Sequence, residues 1–432
     1  MLVSDELLAQ RVAEARRGPF YERFLAGKTC ETRADLQNLP ISSRDDLGPD
    51  GLGGLYCAKP EASGEGAMRT FLEEFLPAES LGLLSAVPGD QPPEFSSPTT
   101  VVGGGPGPDF SISSWSSGTL SETIAALHAQ PSIVVKGDAR LLLLFAEAAL
   151  SAGDSMPPSV EIVLATGLMP PSLRSRLADL WGARVAEIFQ KPEAPVLGAS
   201  CAEGSLHLAN DLYACEILDP EDGKPVPPGG RGVLVVTSLQ PMSYPLVRWS
   251  SGELVEMAAS ACKCQRPDFP VSRLGEAAAA VAFGGREATE SQILDAAQGF
   301  AAALGTEIFH TAIRAGDLRI LVEVADPGIS LPTKEHLDLR RQIGLPMDVR
   351  LVPRGSISGS LSLELAAGEP ACQLWRLADW SEHVPDSGSG SGSGLSLRGL
   401  LAPGGWDAYR KVRRQRAHHR SLRRAIESAE AS

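Results

Sequence analysis

Apolar residues near the start of the chain fall at helical spacing. Leu7 to Arg17 places them on one face of an amphipathic helix, and Arg33 to Leu47 reads as a second short helical region with turns. An irregular Gly- and Pro-rich stretch follows at 86–109, and from residue 120 the pattern alternates. Ser121 to Ala129, Ala139 to Ser151 and Pro171 to Leu180 predict helices. Ser132 to Val135, Val160 to Ala165 and Arg184 to Phe189 predict short buried strands. Strands of this length alternating with helices of ten or so residues imply a parallel sheet with helices on both faces. After residue 205 the chain turns β-rich, with strands at Ser205 to Leu208, Tyr213 to Leu218 and Gly232 to Thr237. The run from Asp219 to Gly230 supplies strong turn punctuation between the last two. From Ala277 to Pro353 a compact α+β unit is expected. It has a strand near Ala280, a helix over Glu290 to Ala303 and strands at Ile308 to Arg314 and Leu318 to Val324. A helix at Lys334 to Ile343 and a strand at Asp348 to Val352 complete it.

The predicted fold is therefore α/β. A large N-terminal domain (1–275) with mixed sheets and a β-rich subdomain precedes a small α+β C-terminal domain (276–380). A Gly/Ser linker (381–404) and a basic helical tail (405–432) follow. The tail carries Arg410, Lys411, Arg413, Arg414, Arg416, Arg420, Arg423 and Arg424 against Asp407, Glu427 and Glu430, in a chain of net charge −14. It is either a solvated helix or an arm for an anionic or acidic partner. The overall acidity excludes a protein that coats nucleic acid with its whole surface. No run approaches the ~20 apolar residues of a membrane span, and the first residues lack a secretory pattern. Seven cysteines are too few for a disulfide scaffold, so a cytoplasmic protein with reduced thiols is expected. No nucleophile elbow or His-Glu-x-x-His motif supports a hydrolase.

The most informative segment is Asn210 to Leu254. It contains Glu216-Ile-Leu-Asp-Pro-Glu-Asp-Gly-Lys-Pro-Val-Pro-Pro-Gly-Gly-Arg-Gly-Val-Leu-Val-Val-Thr-Ser-Leu239 and then Tyr244-Pro-Leu-Val-Arg-Trp-Ser-Ser-Gly-Glu-Leu254. This closely resembles the phenylacetate–CoA ligase family of adenylate-forming enzymes, where "VEIIDPETGEPVPPGEEGELVLTTL" leads into "PLIRYRTRDL". Leu39-Pro-Ile-Ser-Ser-Arg-Asp-Asp-Leu47 is similar to the family's early "LP.TTKDDL", and Gly285 to Ile293 to its "GVNVFPSQI". The resemblance spans about Phe20 to Pro353. It implies a large α/β domain with a mobile C-terminal domain. The implied activity makes an acyl-adenylate from a carboxylic acid and MgATP, then a CoA thioester.

That chemistry needs a phosphate cradle, a magnesium carboxylate, a ribose-binding carboxylate and a C-terminal lysine. Against the family's "ASSGTTGKP", the cradle by order is Ala62 to Ala67, with Ser63, Gly64 and Gly66; Ser116 to Thr119 competes by letters. Neither has the downstream lysine, and an ordinary Gly/Ser turn explains both. The magnesium glutamate of "YGLSE" becomes Glu193 in Ile188-Phe-Gln-Lys-Pro-Glu193. The adenine-contacting "GAEP" becomes Ala165-Thr166-Gly167-Leu168, and the ribose aspartate becomes Glu253, while Arg248 is retained. At the hinge, "RGRTDD" is replaced by Leu274 to Ala279, and no lysine occurs between Lys334 and Lys411.

The resemblance also implies a metal site. Some relatives carry a "C…GLH" segment and a "CPCGR" knuckle that bind structural zinc, and Cys201, His207, Cys262 and Cys264 match all four positions. Three thiolates and an imidazole make a closed tetrahedral shell. The preferred reading is a degenerate ligase homologue with weakened or lost adenylation and a binding or regulatory role. An active acyl- or aryl-acid–CoA ligase using ATP, magnesium and CoA is the alternative, and an unrelated binding protein is the third. The partners left open are a small carboxylic acid or acyl-CoA, a partner for the tail, and a second copy of the chain.

Overall fold

The structure is a computed structural model. It describes residues 4–47, 53–57, 100–103, 110–112, 117–129, 133–191, 193–277, 280–283, 286–307, 309–314 and 317–353. Ser63, Gly64, Gly66, the linker 381–404 and the tail 405–432 lie outside them. The chain divides into two compact units. The first runs to Ala280 and includes Thr289–Gln292; the second holds Val281–Ala288 and the described residues from Ile293.

The first unit opens with three helices, α1 (Asp5–Ala15), α2 (Pro19–Phe24) and α3 (Arg33–Asn38). Local chemistry sets their starts. Ser4 caps α1 by accepting from the Leu7 amide at 3.3 Å, and Thr32 and Asp35 form a reciprocal capping box on α3. Pro19 stands in the first turn of α2, where its missing N–H costs nothing. Later come α4 (Ser117–His128), α5 (Ala139–Ser151) and α6 (Pro171–Trp181).

Eleven described strands form one sheet. They are β1 (Thr100–Gly103), β2 (Phe110–Ile112), β3 (Ile133–Asp138), β4 (Val160–Thr166), β5 (Arg184–Lys191), β6 (Ala194–Ser200), β7 (Leu206–Leu208), β8 (Tyr213–Leu218), β9 (Arg231–Ser238), β10 (Trp249–Met257) and β11 (Val271–Glu276). Their order is β2-β1-β3-β4-β5-β6-β7-β11-β10-β9-β8. Only β3–β4 and β4–β5 are parallel; every other pair is antiparallel. The parallel sheet expected from the alternating pattern thus covers three strands and then reverses. The reason is physical. Parallel neighbours need a crossover of about a dozen residues or more, and after β5 the chain turns straight back into β6 through residues 192–193. The stretch 86–109 was expected to be irregular, yet β1 lies within it, paired to β3.

Two cores flank the sheet. Val163 and Ala165 of β4 pack with Leu142, Leu143 and Phe145 of α5, Leu173, Leu177 and Trp181 of α6, and Ile124 and Leu127 of α4. Ile162 and Leu164, on the opposite face, join Ile188, Phe189, Val196 and Leu8, Val12 and Phe20 of the N-terminal helices. Burial on both faces is why Ile162 to Ala165 of β4 reads as an unbroken apolar run. It also leaves the ends of β4 and β5 as the places where polar groups gather.

The second unit has a small hairpin, β12 (Val281–Phe283) with β13 (Arg286–Ala288). Beside α7 (Glu290–Ala303) lies a three-stranded sheet of β14 (Phe309–Arg314), β15 (Asp317–Val324) and β16 (Met347–Pro353). The β15–β16 pair is parallel, so α8 (Thr333–Ile343) serves as its crossover. The elements follow the α+β pattern expected from Ala277 to Pro353. No described helix is long and apolar enough to cross a membrane.

Candidate functional site

Two polar clusters stand out in the first unit. The first centres on Arg273 of β11, whose side chain is largely covered at the carboxyl ends of β4 and β5. Its Nη2 donates to Glu253 Oε1 at 2.7 Å and its Nη1 lies 3.3 Å from Glu187 Oε1. Nη1 also donates to the Gly167 carbonyl, and the guanidinium lies over the Phe189 ring, 4.2 Å from its centroid. Lys191, the last residue of β5, pairs with the other oxygen of Glu253 at 2.8 Å. Both oxygens of the Glu253 carboxylate are therefore taken by the chain's own cations. Gly167 is at φ +83, and a Cβ there would sit 2.5 Å from Asp138 Oδ2, so a side chain at this position would strain the backbone and push the Asp138 carboxylate aside.

Electrostatics follow from this packing. Burial alone would raise the pKa of Glu253, but Arg273 and Lys191 outweigh it and hold the group down to about 2. Glu187 goes the other way: burial raises its pKa against Arg273 and Arg174. A carboxylate depressed in the folded state adds stability above its unfolded value, and that stability is lost as pH falls. The share owed to Glu253 is expected to be intact above about pH 4.5 and to disappear between there and about pH 2. Urea unfolding at stepped pH checks this, with Glu253→Gln lacking that part of the acid limb.

Glu193 and Arg248 face elsewhere. Glu193 is buried, accepts from Trp249 Nε1 at 3.1 Å and pairs with Arg44. Arg248, at φ +40, donates to the Gln37 and Leu39 carbonyls and, from Nε, to Glu216 Oε2 at 3.2 Å. It ties the end of α3 to β8. Thr166, at the end of β4, is buried beside Gly167. Of the residues read from the motifs, the structure gathers Gly167, Phe189 and Glu253 around Arg273 and sets Glu193 and Arg248 on separate partners. Ser117 to Thr119, the rival cradle, lie in the first turn of α4.

Sequence reasoning missed Arg273, Lys191, Glu187 and Arg44. A signal was present: Lys191 is a cation two residues before Glu193, and Arg273 immediately precedes the altered hinge at Leu274.

The second cluster is the Cys/His set. The ligand atoms of Cys201, His207, Cys262 and Cys264 all lie within 4.8 Å of one another and could hold a metal ion. Cys201 follows β6, His207 sits fully buried in β7, and the two cysteines belong to the loop from β10 to β11. The Cys201 and Cys262 sulfurs are 3.7 Å apart, and Cys264 Sγ is 3.3 Å from His207 Nε2. The Cys264 amide, pointing at Cys262 Sγ, lowers that thiol's pKa to about 6, whereas burial lifts Cys201 to about 11. Gln265, at φ +66, closes the knuckle in the left-handed region of backbone space.

The comparisons agree with this fold. No protein-family model matches the chain. A phenylacetate–coenzyme A ligase of Thermus thermophilus is 33% identical over 100 residues, which is 22% of this chain and 22% of that enzyme. Among solved structures, 2-hydroxyisobutyryl-CoA ligase in the postadenylation state with R3-HIB-AMP aligns over 84% of this chain and 91% of its own. Its TM-score is 0.60 and its identity 17%. The same ligase with 2-HIB-AMP aligns over the same shares, at a TM-score of 0.61 and 16% identity. The fold is that of the adenylate-forming CoA ligases. Over its 100 matched residues the chain is similar to phenylacetate–coenzyme A ligase.

Proposed function

We propose that this protein is a degenerate relative of the acyl- and aryl-acid–CoA ligases. On this reading its nucleotide site is closed by its own side chains, and the scaffold serves binding or regulation. One observation carries the reading: Arg273 and Lys191 saturate Glu253 while the Arg273 guanidinium covers Phe189. A ribose would have to displace two buried ion pairs to reach that carboxylate, and breaking such pairs is costly. The residues present do not fit a nucleotide. The stretch without lysine between Lys334 and Lys411 supports the same reading. A small carboxylic acid or an acyl-CoA remains the ligand class the fold favours, with the large-domain boundary near residue 275.

Titration calorimetry with MgATP tests this without a guess about the acid. No heat up to millimolar ATP is the expected result. Micromolar binding overturns it in favour of an active ligase, which pyrophosphate exchange over aryl and aliphatic acids would then establish.

The second part of the proposal is structural zinc at Cys201, His207, Cys262 and Cys264. Metal–sulfur bonds of about 2.3 Å in a tetrahedral shell give sulfur–sulfur edges of about 3.8 Å, against 3.7 Å between Cys201 and Cys262. The donor set matches as well, since thiolates with one imidazole favour zinc. Bound there, the ion supplies a cross-link with no open position for a reacting water.

A further inference from the structure

We propose that Asp268 is a positioning residue for the metal centre, holding the His207 ring so that Nε2 faces the three sulfurs. The inference rests on the zinc reading above and adds a residue that neither the ligand motif nor the cluster itself includes.

The argument starts from the ring. His207 is fully buried in β7, where its backbone is fixed opposite Ala199. Its Nδ1 lies 2.9 Å from Asp268 Oδ2, and its Nε2 lies 3.3 Å from Cys264 Sγ. A neutral imidazole has one donor and one acceptor nitrogen, and an ionised carboxylate only accepts. The proton must then sit on Nδ1, which leaves the Nε2 lone pair aimed at the thiol cluster. Metal-bound histidines characteristically donate their second N–H to a carboxylate, which fixes the tautomer and raises ligand basicity.

The carboxylate is itself anchored. Arg266 Nε lies 3.3 Å from Asp268 Oδ1, and Arg266 Nη2 lies 3.8 Å from Asp211 Oδ2. Three thiolates around a dication carry a net negative charge, so a further carboxylate close by needs a compensating cation. Arg266 provides it. One short loop, Cys262 to Asp268, thus delivers two ligands, the orienting carboxylate and its counter-ion.

The test uses the full-length protein loaded with zinc, and follows chelator competition for wild type, Asp268→Asn and Asp268→Ala. Asn keeps an acceptor for Nδ1–H and loses the charge; Ala loses both. Asp268→Ala is expected to weaken zinc binding roughly 10- to 100-fold, with Asp268→Asn in between. The cobalt-substituted form should show altered d–d absorption in the Ala variant and a near-native spectrum in the Asn variant. A fold contact alone would not produce that graded signature. Zinc affinity within twofold of wild type in both variants overturns the role of Asp268, as does an unchanged cobalt spectrum in Asp268→Ala. Should Asp268→Ala fail to fold, the Asn variant decides by the same affinity limit. A wild-type protein that binds no zinc instead overturns the metal reading, so the two failures are distinguishable.

Discussion

Replacing Arg273 with alanine is expected to destabilise the first unit by about 3–5 kcal/mol, the cost of breaking a buried ion pair from one side. The change strands Glu187 and Glu253, both almost wholly buried. Glu253 keeps Lys191 and Glu187 keeps Arg174, each with one cation fewer than before. The contact over Phe189 is lost as well, a term of about 0.5–2 kcal/mol. Urea unfolding at neutral pH measures the effect, with the slope unchanged if the denatured state is not altered. A control separates charge from volume. Arg273→Met with Glu253→Gln removes the pair together and should cost far less than Arg273→Ala, because desolvation is relieved on both sides. If Arg273→Ala costs under about 1 kcal/mol, the site is open to water and the closed-pocket reading fails with it.

Much of the fold could be read from the sequence because its signals are local. The helix over Ala139–Ser151 and the strand over Tyr213–Leu218 follow from periodicity and turn residues, and the structure has the same limits for both. What could not be read is long-range pairing. The reversal after β5 depends on connection lengths, and β6 (Ala194–Ser200) is an apolar run next to Pro192 that periodicity does not separate from a loop. The site divides in the same way. Cys201, His207, Cys262 and Cys264 were legible through matched positions, although Cys262 lies 55 positions after His207. Arg273 was not, because its meaning depends on three carboxylate and carbonyl partners that β4, β5 and β10 bring to it from as far as 106 residues away. A motif comparison sees single positions, not the partners that the fold brings to them.

The largest loss is expected on dismantling the Cys/His centre. Protein purified without chelator should carry one zinc per chain, and Cys262→Ser or His207→Ala should lose it. The stabilisation can be bounded from chain entropy. Cys201 and Cys262 are 61 residues apart in sequence. A cross-link closing a loop of that size restricts the unfolded chain by about 4 kcal/mol. Ligand bonds add to this, and binding of metal to the unfolded thiols subtracts from it. A loss of at least about 4 kcal/mol, or failure to fold, is therefore expected when the centre is broken. Cys30→Ser, at a thiol outside the set, should leave metal content unchanged. Elemental analysis and urea unfolding decide together. Less than about half an equivalent of zinc in wild type, or full stability in Cys262→Ser, would mean that the four side chains meet without holding an ion. Strand pairing and the His207–Asp268 hydrogen bond would then be among the contacts that link β7 to the β10–β11 segment.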